Sequence, residues 1–277
     1  MGLRIATNVQ SIGAQRSLSN IKSEQDRSLE KLSSGLRINR ASDDAAGLAI
    51  SEKMKATIRG TQQASRNAQD GISMIQVAEG GLGEVSSILI RLRELSVQAA
   101  NDTLGSNERK FTNLEYQQLS SEIDRIAGST TFNGRALLKG EGDQLEFQVG
   151  ASNDKFNDRI GYNPGDANIT TDALGLKGSS IEEKDKAQSN LSAIDLALDA
   201  VNGNRANLGA LQNRLQSTVS NLDVGTENMS AANSRIRDTD IAVESAQLAR
   251  SNILSAASTS VLAQANSNSA GALKLIG

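Results

Sequence analysis

Ile194, Val201, Leu208, Leu215, Leu222, Met229 and Ile236 recur every seven residues without a miss. Such a run is one strip of a heptad, the pattern of helices that wind around a neighbour. It constrains the chain more than any other feature, because it demands an unbroken helix with a partner along its length. The companion strip three residues earlier opens with Leu191 and Leu198, turns polar at Arg205 and Gln212, returns at Val219, and is polar again at Thr226 and Asn233. A half-polar seam makes a poor free-standing dimer; it suits a helix whose second face is covered by another element. Ser180 and Glu183 have the spacing of a capping box and predict the start of this helix.

The N-terminal third has the same character. Ile5, Val9 and Ile12 open one helix, and Leu29, Leu32 and Leu36 extend its apolar face toward Ser33-Ser34-Gly35. A second start is predicted at Ser42, with Asp43 and Asp44 in the first turn, where carboxylates complement the positive helix end. Apolar positions then run through Leu48, Ile58, Ile72, Ile75, Leu82, Val85, Leu89 and Leu92 to about Asn101, which at 1.5 Å per residue is a helix of roughly 90 Å. Gly80, Gly81 and Gly83 mark a weak point in it, each about 1 kcal/mol worse than Ala. A third helix is predicted from near Ser106, with Tyr116, Leu119, Ile123 and Ile126 on one face. Over residues 128–180 the helical period breaks. Asn133-Gly134, Asn163-Pro164-Gly165 and the alternating run Leu145-Glu146-Phe147-Gln148-Val149 predict hairpins there.

Aromatic residues sharpen this picture. All six, Phe111, Tyr116, Phe132, Phe147, Phe156 and Tyr162, fall between positions 111 and 162, and the one proline is Pro164. The flanks must therefore bury Leu, Ile, Val and Ala alone, which is the chemistry of helix–helix seams. The stretch from Ile241 to Ile276 is dominated by Ala and Ser. Ala256, Ala257 and Ser258 would allow close helix approach but supply little hydrophobic drive. The expected fold is mostly α: long coiled-coil helices in a rod-like bundle with a small β-hairpin region mid-chain. Expected parts are an N-terminal helix at 1–40, two helices plus the hairpin region (about 128–179) within 41–179, a long helix at 180–240 and a C-terminal helix at 241–277. Leu89 and Leu92 are expected to share a seam with Ile194, Val201, Leu208, Leu215 and Leu222.

Most enzyme chemistry fails on inventory. With no His and no Cys, Ser-His-Asp and Cys-His sites and the usual zinc motifs are excluded, and no cofactor is implied. Asp43-Asp44 and Glu182-Glu183 are read as helix-start charge in preference to an acid/base pair. Gly80-Gly81-Leu82-Gly83 follows no strand and lacks the Lys-Ser/Thr ending of a phosphate loop. Residues 1–40 carry seven Lys/Arg against three Asp/Glu, but without interleaved aromatics this reads as a solvated or intersubunit face, not a nucleic-acid arm. Neither a signal peptide nor a membrane span is expected from the apolar runs.

With these motifs in hand, the chain resembles the bacterial flagellins. The resemblance rests on Leu32-Ser33-Ser34-Gly35-Leu36-Arg37-Ile38-Asn39 running into Asp43-Asp44-Ala45-Ala46-Gly47-Leu48-Ala49-Ile50, and on Arg91-Leu92-Arg93-Glu94-Leu95-Ser96-Val97-Gln98-Ala99-Ala100-Asn101. It continues in Leu208-Gly209-Ala210-Leu211-Gln212-Asn213-Arg214, Ser234-Arg235-Ile236-Arg237-Asp238-Thr239-Asp240 and Leu262-Ala263-Gln264-Ala265-Asn266. It departs from the family pattern at Gln25, Gly81 and Ser255, all in assembly helices.

The resemblance implies a self-assembling structural subunit of an extracellular filament, exported without a cleaved signal peptide. The short middle implies a minimal form without variable outer domains. The weak, aromatic-free and Ala-rich ends are expected to order only on assembly, and the resemblance implies that they line the filament core, with Ile5, Val9, Ile12, Leu29, Leu32, Ile241, Leu248, Leu254, Val261 and Leu262 as assembly contacts. Implied partners are further copies of the chain, an export chaperone bound by the C-terminal segment, and the filament cap and hook-junction proteins. A host Toll-like receptor is implied through Arg91, Leu95 and Glu115. Two rival readings stand beside this one: a hook–filament junction protein, and a secreted receptor-binding module.

Overall fold

The computed structural model describes residues 7–274, with side chains through Asn268, so Ile5 and residues 275–277 lie outside the described range. Five α-helices dominate the described residues: α1 (Val9–Ser34), α2 (Ala45–Ala99), α3 (Ser106–Ser129), α4 (Lys184–Arg237) and α5 (Ile241–Lys274). Between α3 and α4 lie β1 (Thr131–Phe132), β2 (Arg135–Ala136), β3 (Leu145–Gln148), β4 (Arg159–Tyr162) and one 3-10 turn, Pro164–Ala167. This is the mostly α class, with a small central β region, that heptads and Asn-Gly punctuation predict. The chain divides into two compact units, residues 57–227 and residues 1–56 with 228–277.

In the unit of residues 57–227, α2 buries a stripe from Ala64 and Ala68 through Ile75, Leu82, Val85, Leu89, Leu92 and Leu95 to Ala99. Steps of three and four residues keep these side chains on one face. Ile194, Val201, Leu208 and Leu215 of α4 enter the same core, joined by Ala187, Ala197 and Val219. Leu222 is half-buried. Ser65 Oγ donates to Asp223 Oδ1 at 3.2 Å, and Arg93 pairs with Asp195 at 2.7 Å, so α2 and α4 run antiparallel.

The hairpins are placed by local backbone chemistry and by α2. Asn133 and Gly134 both have positive φ, 49° and 78°, as the tight turn joining β1 and β2 requires. β3 and β4 pair antiparallel with Phe147 opposite Ile160. Asn67 Nδ2 on α2 donates to the Gln148 carbonyl at 3.0 Å, fixing this second hairpin. Helix α2 runs on through Gly80, Gly81 and Gly83. At Gly81 a Cβ would stand 2.7 Å from both Leu138 and Thr130, so the glycine admits a close approach of the segment after α3.

Residues 163–181 contain no strand, yet Ile169, Leu174, Leu176 and Ile181 are buried. Helix α3 holds them. Asp124 accepts from the Thr171 amide at 2.8 Å and its hydroxyl at 2.7 Å, and the Tyr116 hydroxyl meets Ser179 Oγ at 2.9 Å. Asn113 Oδ1 accepts from the Ile181 amide at 3.1 Å and the Ser180 hydroxyl at 3.3 Å. Two helix starts therefore differ from the sequence reading. Ser180 is engaged by α3, and α4 begins only at Lys184. Asp44, not Ser42, accepts the Gly47 amide at 2.8 Å, and α2 begins at Ala45.

Candidate assembly surfaces

In the unit of residues 1–56 and 228–277, a short clasp aligns α1 with α5. Helix α1 ends at Gly35, whose φ of 72° suits glycine and whose amide donates to the Lys31 carbonyl at 2.8 Å. The Arg37 amide then donates to the Arg237 carbonyl at 2.7 Å and the Thr239 amide to the Gly35 carbonyl at 3.0 Å. Asp240 Oδ1 accepts from the amides of Ala242 and Val243, capping α5. The Arg237 guanidinium pairs with Glu52 at the start of α2. Asp43 is held below the usual carboxylate range by the Arg40 amide first, then by the Asn39 amide and the charges of Lys31 and Arg27.

From the clasp α1 and α5 run antiparallel, and the face each turns to the other mixes small and polar residues with five large aliphatic ones. On α1 the covered positions are Ser11, Ala14, Leu18, Ile21, Gln25, Ser28 and Leu32, in steps of three and four. On α5 they are Glu244, Leu248, Ser251, Ser255, Ser258, Leu262 and Ala265. Polar contacts mark the register. Asn8 Nδ2 donates to the Ala265 carbonyl at 2.9 Å, Gln25 Nε2 to Asn252 Oδ1 at 2.8 Å, and Lys31 lies 3.7 Å from Glu244. Ser28 and Ser251 are buried, and the Ser251 hydroxyl has no hydrogen-bond partner.

Many of the bulkier apolar side chains point elsewhere. Val9, Ile12, Leu29, Ile241, Val243, Ile253, Leu254 and Val261 are all exposed, from 41% at Leu254 to 70% at Ile253. Leu254 and Val261, seven residues apart, flank the seam, whereas Ile253 lies on its far side. Of the side chains singled out from sequence, Leu32, Leu248 and Leu262 thus sit in the seam within the chain. Val9, Ile12, Leu29, Ile241, Leu254 and Val261 face outward. Sequence reading passed over Ser11, Ala14, Ser28 and Ser251, and took Gln25 and Ser255 only as departures from the family pattern, because it followed large apolar residues; three-four spacing was the available signal. Ala256 and Ala257 are exposed, and of that triplet only Ser258 is in the seam.

Such a distribution leaves apolar area in water that the chain itself does not cover. Burying a Val, Leu or Ile side chain contributes about 1.5–3 kcal/mol, so a row of them amounts to an association surface. The seam beneath has Leu18, Ile21, Leu32, Leu248 and Leu262 as its large aliphatic side chains, and its serines and glutamine contribute much less per residue.

A third cluster lies in the other unit. The Arg91 guanidinium reaches Glu115 at 2.8 Å and Glu94 at 2.9 Å, and these bonds, to Glu94 first, push its pKa further up. Leu95, placed beside them by resemblance, is a core residue only 1% exposed. It follows Leu92 by three residues on the buried stripe of α2, so only Arg91 and Glu115 of that trio face solvent. Among the described residues, no three His, Cys, Asp or Glu side chains converge, and no helix is long and apolar enough to cross a membrane.

Comparison with known proteins adds an independent line. Residues 5–143 match the model of the bacterial flagellin N-terminal helical region, and residues 191–276 that of the C-terminal helical region. A flagellin of Halalkalibacterium halodurans is 48% identical over 269 residues, covering 97% of this chain and 98% of that one. The flagellin of Bacillus subtilis is 42% identical over 311 residues, covering 99% of this chain and all of its own. Among solved structures, the crystal structure of Bacillus cereus flagellin aligns with a TM-score of 0.51 at 32% identity, over 61% of this chain and 94% of that one.

Proposed function

Because the chain belongs to the bacterial flagellin family, as a short form that is a structural filament subunit and not an enzyme, we propose that its assembly is driven by the outward apolar faces of α1 and α5. The observation that carries this reading is the inverted pair. Small and polar residues take nine of the fourteen seam positions within the chain, while Val9, Ile12, Leu29, Ile253, Leu254 and Val261 remain exposed. Neighbouring subunits supply what covers them, and Ile5, four residues before Val9 in the sequence, is counted with them. On this reading residues 1–40 and 241–277 form the filament-core part, and residues 41–179 with 180–240 the part outside it, with the core of Leu89, Leu92, Ile194, Val201, Leu208, Leu215 and Leu222 holding its shape.

Coupling of order to assembly follows from magnitudes. Fixing a residue's backbone costs about 1–2 kcal/mol. A seam with five large aliphatic side chains among serines, alanines and a glutamine offsets only part of that, so α1 and α5 gain much of their stability from neighbours in the polymer. The test is amide hydrogen exchange on monomer and filament. Exchange across residues 9–34 and 241–268 is expected to be fast in the monomer and strongly slowed in the filament. Equal, strong protection in the monomer would overturn the reading.

The same family reading places the assembled protein in the extracellular flagellar filament. It extends to export through the flagellar apparatus without a cleaved leader, which N-terminal sequencing of filament protein checks. It extends also to capture of the C-terminal segment by an export chaperone, since the exposed aliphatic side chains of α5 suit a groove binder, and to end contacts with the cap and hook-junction proteins. For an innate receptor, the accessible pair is Arg91 and Glu115; loss of receptor signalling in an Arg91→Ala, Glu115→Ala variant is the expected result.

A further inference from the structure

Phe156 is the most exposed aromatic of the chain, at 91%, in a sequence with only six aromatics. It stands at the tip of the loop joining β3 and β4, and that loop is firmly built. Asp154 Oδ1 accepts from the Phe156 amide at 2.9 Å, and Asp158 Oδ2 accepts from the Asp154 amide at 3.0 Å. The Asp158 amide returns to the Asp154 carbonyl at 2.9 Å, and Arg159 donates to Asn153 Oδ1 at 2.6 Å. Gln148 Nε2 bridges the carbonyls of Gly150 and Ser152. A loop held by so many of its own bonds has already met the ordering cost that weakens most protein contacts. It presents the ring to water all the same.

The same unit contains a socket. Between β4, the 3-10 turn and α4 is an open cavity of about 230 Å³, with Tyr162, Ala167, Leu208 and Leu211 on its apolar side and three asparagines, Asp166 and Arg214 around its wall. By volume a phenylalanine side chain fits, since about 150 Å³ already holds a benzene ring. Arg214 enters no ion pair among the described residues, and the tip carries Asp154 and Asp158.

Within one chain the two cannot meet. The tip is seated on α2, with Ala151 against Gly60 and Gln148 bonded to Asn67. The pairing of Ser65 with Asp223 and Arg93 with Asp195 sets the cavity-lining part of α4 opposite α2 beyond Asn67, on the order of 10 Å or more along the helix. Two different patches that fit each other but not within one copy make a head-to-tail contact, the kind that builds open helical polymers.

We propose that Phe156 of one subunit inserts into the Tyr162–Leu208–Leu211 socket of a neighbouring subunit, with Arg214 at the rim facing the acidic loop that carries the ring. The proposal rests on the filament reading above and goes beyond it by naming a knob and its hole outside the terminal helices.

Two measurements on the full-length chain test it. Phe156→Ala is expected to raise the critical concentration for seeded polymerisation about tenfold or more, as loss of a buried aromatic anchor does, while thermal unfolding of the monomer is unchanged. Since the chain has no Cys, a Phe156→Cys, Leu211→Cys double variant gives a clean cross-link. Oxidation of its filaments is expected to yield a disulfide ladder that neither single variant gives. If wild type and Phe156→Ala polymerise alike and the double variant gives no ladder, the proposal falls while the filament reading stands. If wild type forms no polymer under any seeding, both fall.

Discussion

Gln25 of α1 donates to Asn252 of α5 across 2.8 Å, at a covered position of the α1–α5 seam where a coiled coil would ordinarily carry an aliphatic side chain. Its partner is exposed, so Asn252 loses nothing to water if the bond is removed. Gln25→Leu exchanges a surface hydrogen bond for partly buried apolar area and is expected to stabilise the helix pair by about 0.5–1.5 kcal/mol. Slower amide exchange across α1 in the monomer would show it. A seam weakened at this position keeps order dependent on neighbours, so the same variant should also assemble from more ordered monomers.

Ile253 and Leu262 sit on the same helix and separate two roles. Leu262 lies in the seam and Ile253 on the far side, 70% exposed. Leu262→Asp is expected to disrupt α1–α5 pairing and polymerisation together. Ile253→Asp is expected to leave the pair intact and still abolish polymerisation. In both, residues 57–227 should unfold at the wild-type temperature. Normal filaments from Ile253→Asp would sink the outward-face reading.

Large apolar residues at seven-residue intervals made the fold class legible, because Ile194, Val201, Leu208 and Leu215 announce a buried strip by size alone. Asn133-Gly134 announced its turn because few other pairs accept two positive φ values. What escaped was decided at long range. Ser180 looks like a cap until Asn113, 67 residues away, takes its hydroxyl. Residues 163–181 have no period to read, since their order comes from Asp124, Tyr116 and Gln117 on α3. Much of the α1–α5 seam escaped for another reason: Ser, Ala and Gln occupy most of its positions, and hydropathy does not distinguish a small covered residue from a solvated one. Leu95 could have been placed, since it continues the stripe through Leu89 and Leu92.

Tyr162 gives the core a pH limit on the alkaline side. Its hydroxyl donates to the buried Leu137 carbonyl at 2.8 Å, and burial, with the Asp166 carboxylate adding to it, pushes its pKa up to about 12 from 10.0. The folded state thus favours the neutral phenol. Its contribution is whole below the unfolded pKa and is lost as pH rises between about 10 and 12. Stability should fall across that window, followed by tyrosinate absorbance and circular dichroism together. Only Tyr116 and Tyr162 absorb there, because the chain has no Trp. Tyr162→Phe should make the fall shallower; an unchanged slope would remove Tyr162 as its cause.

Gly71 decides how closely β3 approaches α2. A Cβ at this position would stand 3.1–3.2 Å from the Phe147 ring, which is anchored by the pairing of β3 with β4. Two effects oppose each other in Gly71→Ala. Helix propensity favours Ala by about 1 kcal/mol, and the ring must yield by a few tenths of an ångström. The two should nearly cancel, leaving monomer stability within about 0.5 kcal/mol of wild type. Gly71→Val adds branching against the same ring, with less propensity in its favour, and overpacking of this kind costs about 1–3 kcal/mol. Urea unfolding of the monomer separates these outcomes. Because the hairpin is also held at Asn67 and Gly60, the strain of Gly71→Val has little room to relax. The variant should therefore be less stable than both wild type and Gly71→Ala. Equal stability of all three proteins would mean that the hairpin lifts from α2 freely, and the firm mounting argued for Phe156 would be lost with it.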